Sequence, residues 1–209
     1  MMRILLVRHG ETAGNRQRYI GHEDIPLNAT GRRQADALAA ALGSEPIVRV
    51  LASPLARARD TASPLAAARG LEVEIRAGLM EIDYGRLQGQ LKEGRGLRLR
   101  RHHVDDALPE GESLRDVWAR LGPVAEELAA AAAADGAIAV VAHYWSNRML
   151  RARLTGGSLE DALADRAYKP ANASAYLLEP ACDRATATWR AVGWLHRPPE
   201  PEALATTAD

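Results

Sequence analysis

Phenylalanine is absent from the 209 residues, cysteine occurs once, and only two of the 27 basic residues are lysines, Lys92 and Lys169. A lone Cys182 excludes an intramolecular disulfide and a thiolate metal cluster. Long apolar runs are missing as well. Ile4 to Val7 is too short for the hydrophobic region of a secretory signal, and the alanine tract at 129–134 is interrupted by Asp135 and Gly136. These absences lead to the expectation of a cytoplasmic protein with no membrane partner. Net charge is lacking too, since 27 basic and 27 acidic residues cancel and leave no global field for nucleic acid or anionic lipid. The basic stretch Lys92, Arg95, Arg98, Arg100, Arg101, His102 and His103 has no interleaved aromatics. It reads as a solvated face or an anion-steering lid, with no nucleic acid implied. Adjacent His102 and His103 lack helical ligand spacing, and with no HExxH-type motif no metal is implied.

What is present is an alternation of short apolar runs with helical periodicity, the pattern of an α/β sandwich around a mostly parallel sheet. Strands are expected at 3–8, 47–52, 71–75, 137–142, 173–179 and 185–194. Ala35, Leu38, Ala39 and Leu42 recur at helical spacing, which puts a helix over 30–42 with Asn28 or Thr30 as its cap. Ser53-Pro54 reads as cap and first-turn proline of a helix reaching Arg69. Leu114, Val117, Trp118, Leu121 and Leu128 mark a long helix capped by Ser113 and bent near Gly122-Pro123. Further helices are expected from His143 to Leu154 and over 158–166, while 79–112 reads as charged loop. One domain is expected over 1–196. Residues 197–209, rich in proline, glutamate and alanine, read as a disordered tail.

Three of these strands lead into reactive residues. The first delivers Arg8, His9 and Gly10, the second precedes Arg57 in its following helix, and the fourth ends at His143. In an open parallel sheet such ends share one edge, where ligands bind. Arg8, His9, Arg57 and His143 would then face one crevice, joined by backbone N–H groups of the helices after Ser53 and His143. Gly10 is expected to let the backbone approach the ligand. A tetrahedral dianion suits such a pocket, and an imidazole beside fixed cations can attack a phosphate ester.

Arg8-His9-Gly10-Glu11-Thr12 resembles the signature of the histidine phosphatase (phosphoglycerate mutase-like) superfamily, branch 1. Ser53 to Ala62 is similar to its SPLxRAxxTA segment, Leu79 to Gly85 to its LxExxxG segment, and Pro109 to Ser113 to PxGES. Weaker similarity continues at Asn172-Ala173-Ser174. The resemblance implies a three-layer α/β/α sandwich of the phosphoglycerate mutase-like fold and a transient phosphohistidine on His9. Arg8 and Arg57 would neutralise the phosphoryl oxygens and keep His9 unprotonated; His143 and Asn15 would bind phosphate. Glu81, with Asp83 as its rival, would protonate the leaving oxygen and then activate water. Arg59 is read as a solvated helix residue. The ligand implied is a small-molecule phosphate ester; no cofactor is implied, and a homodimer is left open.

The chain departs from the family's pattern at three places. In Gly21-His22-Glu23-Asp24-Ile25-Pro26-Leu27, His22 replaces the glutamine of a GQxDxPL loop and is expected to face solvent. Arg86-Leu87-Gln88-Gly89 stands where a WEG-type turn is common. His143-Tyr144-Trp145-Ser146-Asn147-Arg148 carries two aromatics where relatives read HGG or HGxxxR. Tyr144 keeps a backbone N–H for phosphate, its ring going either into the core or over the substrate, and Trp145 is expected to pack in the core. The reading is a metal-independent phosphomonoesterase. A mutase is the alternative, disfavoured by the compact segment between Glu81 and Pro109; a phospho-ligand binding protein, suggested by Tyr144-Trp145, is the other.

Overall fold

Side chains alternate across the first strand, β1 (Met2–Arg8), and that period of two separates two cores. Ile4 and Leu6 enter one core, Leu5 and Val7 the other. The computed structural model describes residues 1–14, 17–92, 104–181 and 189–198. After β1 come α1 (Ala29–Ala41), β2 (Ile47–Ala52), α2 (Ala56–Ala67), β3 (Val73–Ile75), α3 (Leu114–Arg120) and α4 (Gly122–Ala130). Then follow β4 (Gly136–Ala142), α5 (Tyr144–Leu154), α6 (Leu159–Ala164), β5 (Ala175–Pro180) and β6 (Trp189–His196). Among the described residues the strands form one sheet in the order β3-β2-β4-β1-β5-β6. The first four of these are mutually parallel, β5 is antiparallel to β1, and β6 is antiparallel to β5.

Leu38 and Leu42 at the end of α1, with Ala58, Ala62 and Leu65 of α2, cover the face bearing Leu5, Val7, Val50, Ala139 and Val141. Helices α3 to α6 cover the other face through Leu114, Leu121, Leu128, Met149, Leu150 and Leu159 against Ile4, Leu6, Ile138 and Val140. Each such Leu, Ile or Val contributes about 1.5–3 kcal/mol on burial, and this drives the three layers together. The α/β/α sandwich expected from the sequence is the fold observed.

Caps explain several helix starts. Asn28 accepts the Gly31 N–H at 2.7 Å, and Ser113 forms a reciprocal capping box with Asp116. The expected bend is a break, with α3 ending at Arg120 and α4 opening at Gly122-Pro123. Other boundaries differ. The third strand begins at Val73, α6 stops at Ala164, and α2 begins at Ala56, with Leu55 in the cap position. Cys182, positions 185–188 of the last expected strand, most of the basic stretch (93–103) and 199–209 of the expected tail lie outside the described residues. Among the described residues no helix is long and apolar enough to cross a membrane.

Candidate active site

Strand β4 lies between β1 and β2, and its register sets three chain exits side by side. Arg8 pairs with Ala142, and Ala52 pairs with Val141. His9, His143 and Ser53 are each the next residue, so parallel strands deliver all three to the same edge. The ladder continues one step into the site, through His9 N–H to the Ala142 carbonyl (3.0 Å) and Ser53 N–H to the Val141 carbonyl (3.1 Å). The buried rings of His9 and His143 stand 5.1 Å apart, centroid to centroid. The convergence expected from the sequence is present for Arg8, His9, Arg57 and His143, the two arginines acting electrostatically on both rings. Asn15 lies outside the described residues.

The signature loop is packed against the start of α1. A Cβ on Gly10 would come within 2.6 Å of the Gly31 carbonyl oxygen, and a Cβ on Gly31 within 2.0 Å of the Glu11 oxygen. Gly10 therefore serves a close backbone crossing with α1. Its N–H donates to Thr61 Oγ1 (2.9 Å), whose hydroxyl donates to the Arg57 carbonyl (2.7 Å). Asn172 Nδ2 donates to the carbonyls of His9 (2.9 Å) and Gly10 (3.1 Å), and Asn147 Nδ2 to that of Val7 (2.9 Å). Sequence reasoning missed these supports. Thr61, Asn172 and Asn147 all lie inside segments that the family resemblance had already marked, but no residue type there announced these bonds.

His9 Nδ1 lies 2.7 Å from the Gly10 carbonyl. A carbonyl only accepts, so Nδ1 carries the proton and Nε2 holds the lone pair. Burial, then Arg57, then Arg8 drive the His9 pKa well below the ordinary imidazole value, against the Gly10 bond. Burial, then Arg57, His9 and Arg8, does the same to His143. Its Nε2 lies 2.8 Å from Ser53 Oγ, while its Nδ1 is buried without a hydrogen-bond partner among the described residues. Ser53 thus orients His143 across the sheet edge and does not cap α2 as expected. The first N–H of α2, that of Ala56, donates to Asp24 Oδ1 (2.5 Å) instead.

Arg57 is 2% exposed and grips the preceding loop through the carbonyls of Glu23 and Gly21, both at 2.7 Å. Burial lowers its pKa to about 10 against the pull of Glu81 and Asp24, so it remains a cation at neutral pH. Arg8 donates to the Pro170 carbonyl (2.9 Å), with its guanidinium 5.5 Å from the Tyr144 ring.

Glu81, also buried, faces the N-terminus of α5. Its carboxylate accepts N–H bonds from Tyr144 (3.0 Å), Trp145 (3.1 Å) and Ile82 (3.1 Å), where the helix dipole favours negative charge. The Tyr144 N–H, expected to face a phosphoryl oxygen, is therefore bonded to Glu81. The Glu81 carbonyl accepts from Arg120 Nη2 (2.8 Å) and His22 Nε2 (2.7 Å). His22 is half-buried beneath this segment and does not face solvent as expected, because Glu81 offers its ring a carbonyl acceptor. Asp83, the rival acid, accepts the Gly85 N–H (2.8 Å) in the next turn.

The Tyr144 ring sits between two guanidiniums, 5.5 Å from Arg8 and 5.5 Å from Arg148, and edge-on to Trp145. Trp145 packs against the larger core as expected. Arg148 donates to the carbonyls of Ala162 (2.7 Å), Asp165 and Tyr168, which makes it a brace between α5 and the segment after it. Among the described residues, no group of three or more His, Cys, Asp or Glu side chains is arranged to hold a metal ion.

Comparison with known proteins finds relatives of this chain and of its fold. The chain aligns with mycobacterial glucosyl-3-phosphoglycerate phosphatase at 31% identity and a TM-score of 0.79, over 93% of this chain and 99% of that one. A putative alpha-ribazole-5'-P phosphatase from Escherichia coli aligns at 26% identity and a TM-score of 0.78, over 92% and 95%. A probable phosphoglycerate mutase GpmB from Yersinia enterocolitica is 35% identical over 129 residues, 58% of this chain. That match spans about 60% of the relative's length. Residues 4–192 match the model of the histidine phosphatase superfamily (branch 1), and the chain belongs to that family.

Proposed function

We propose that this chain is a metal-independent phosphomonoesterase that hydrolyses a small phosphorylated metabolite through a phosphohistidine on His9. The observation that carries this reading is a buried His9 whose Nδ1 faces the Gly10 carbonyl, which leaves the lone pair on Nε2, held among Arg8, Arg57 and His143, where burial and the two cations favour the neutral ring. Nε2 attacks phosphorus and the P–O ester bond breaks. Arg8, Arg57 and His143 stabilise the charge on the transferring group, and Glu81, which takes up a proton as the anionic ester binds beside it, gives that proton to the leaving oxygen. The Glu81 carboxylate then takes a proton from water, which attacks phosphorus, breaks the P–N bond and returns His9. Asn15 is assigned to phosphate by its motif position, and Tyr144 to the substrate rim by its ring beside Arg8. Phosphatases among the structural neighbours, aligned over nearly the whole chain, support hydrolysis over mutase-type phosphoryl transfer.

The mutase-type relatives favour a second reading, in which phosphohistidine passes its group to a sugar acid. Product analysis separates the two. Hydrolysis releases inorganic phosphate from an aryl phosphate in the presence of EDTA, and His9→Ala eliminates it. A mutase isomerises 3-phosphoglycerate once primed with the bisphosphate. Full aryl phosphatase activity in the His9→Ala protein would overturn both.

A further inference from the structure

The segment bearing Glu81 is irregular, running between single helical turns at Ala77–Leu79 and Gly85–Leu87, so its placement depends on contacts from outside. Its carbonyl is held by two donors, Arg120 Nη2 at 2.8 Å and His22 Nε2 at 2.7 Å. Arg120 is itself fixed by Glu112 and by the carbonyls of Gly78 (2.7 Å) and Met80 (2.8 Å). His22 is fixed from the other wall of the site. Arg57 holds the carbonyls of Gly21 and Glu23, the residues on either side of it, and the His22 N–H donates to Gln88 Oε1. A carbonyl acceptor requires the proton on Nε2. Nδ1 lies 3.5 Å from Asp83 Oδ2, and Glu112 Oε2 lies 4.0 Å from Nε2.

We propose that His22 is a positioning residue that ties the Arg57 phosphate grip to the Glu81 acid, keeping the carboxyl in reach of the leaving oxygen. The proposal rests on the reading of Glu81 as proton donor. Small displacements of a catalytic group cost large factors in rate, so a single bond to its main chain can be felt in turnover. His22 acts through Glu81 and touches no reacting atom. Its influence therefore falls on the step in which the leaving group needs a proton.

The test is a series of phosphate monoesters from p-nitrophenyl phosphate to alkyl phosphates, with kcat/KM measured for wild type, His22→Ala, His22→Asn, His22→Gln and Glu81→Gln. For Glu81→Gln the loss grows as the leaving alcohol becomes more basic. His22→Ala reproduces that trend more weakly, with about a tenfold loss on alkyl esters and a much smaller one on p-nitrophenyl phosphate. His22→Asn, whose shorter amide cannot span to the Glu81 carbonyl, does the same and serves if the alanine variant fails to fold. His22→Gln restores the alkyl rate, because its amide can donate to that carbonyl. A loss that is equal across the series in His22→Ala and His22→Asn, or no loss, overturns the proposal, as does failure of His22→Gln to restore the alkyl rate. A flat series for Glu81→Gln overturns the reading of Glu81 instead, and the two failures are distinguishable.

Discussion

At the sheet edge, His9 and His143 sit one residue beyond paired strands, whereas Glu81 sits in a segment between two single helical turns. The first wall is positioned by register and burial: a shift of one residue in β1 would move its apolar side chains between the two cores. The second wall is positioned by individual hydrogen bonds from Arg120, His22 and the N-terminus of α5. Every departure from the family's pattern touches the second wall. His22 holds the Glu81 carbonyl, Gln88 accepts the His22 N–H, and Tyr144 and Trp145 donate to the Glu81 carboxylate. The contrast teaches where this fold can vary. On the proposed reading, the phosphate-binding wall is built into the sheet, and the acid and the rim are carried by loops, the segments of a fold that vary most readily.

Substitutions at the sheet wall have the largest effects. His9→Ala lowers aryl phosphate turnover by about 10⁴-fold or more, since the proposed nucleophile is gone. His143→Ala and Arg57→Ala each lower it by about 10²–10³-fold, as for loss of a donor to developing charge. Arg57→Ala also releases the Gly21 to Glu23 loop, so its effect reaches the second wall as well. Steady-state kinetics checks all three, and equal losses at both walls would dissolve the contrast.

Stability separates the walls further. Gly10→Ala destabilises by about 1–3 kcal/mol, because its Cβ meets the backbone of Gly31 and neither segment can yield easily. Chemical denaturation measures this directly. The two histidines also make the sheet wall acid-sensitive. Both have pKa values below the ordinary imidazole value, so the unfolded chain binds protons that the folded chain does not. Their contribution is complete above about pH 6.5 and is lost as pH falls through and below that value, at up to about 1.4 kcal/mol per pH unit for each histidine. The Tm therefore drops between pH 7 and pH 5, and His143→Gln reduces that drop. The smallest effect belongs to the rim, where Tyr144→Gly redistributes preference among phosphorylated metabolites by about tenfold.

The sheet wall was legible in the sequence because β1, β2 and β4 announce themselves as apolar runs, and the residues after them follow by counting. The second wall was not legible to that degree. Glu81 could be picked out within its segment, but its partners are Tyr144 and Trp145, far along the chain, and their N–H groups leave no mark in residue type. Ser53 looked like a helix cap because serine before proline usually is one. Its hydroxyl accepts the Leu55 N–H (3.3 Å) ahead of the helix and lies closer, at 2.8 Å, to His143 Nε2, a contact that no local pattern encodes. His22 looked like a surface residue for the same reason, since nothing near it in sequence shows the Glu81 carbonyl waiting above its ring.

The account stands most directly on whether His9 carries the phosphoryl group. Rapid quenching of the wild-type protein during turnover of a labelled phosphate ester should trap phosphate that is acid-labile and base-stable, on a peptide containing His9. The same label should be absent from the His9→Ala protein, which should show no burst of alcohol release. An active wild-type enzyme that traps no phosphoenzyme, or label on another residue, would contradict it.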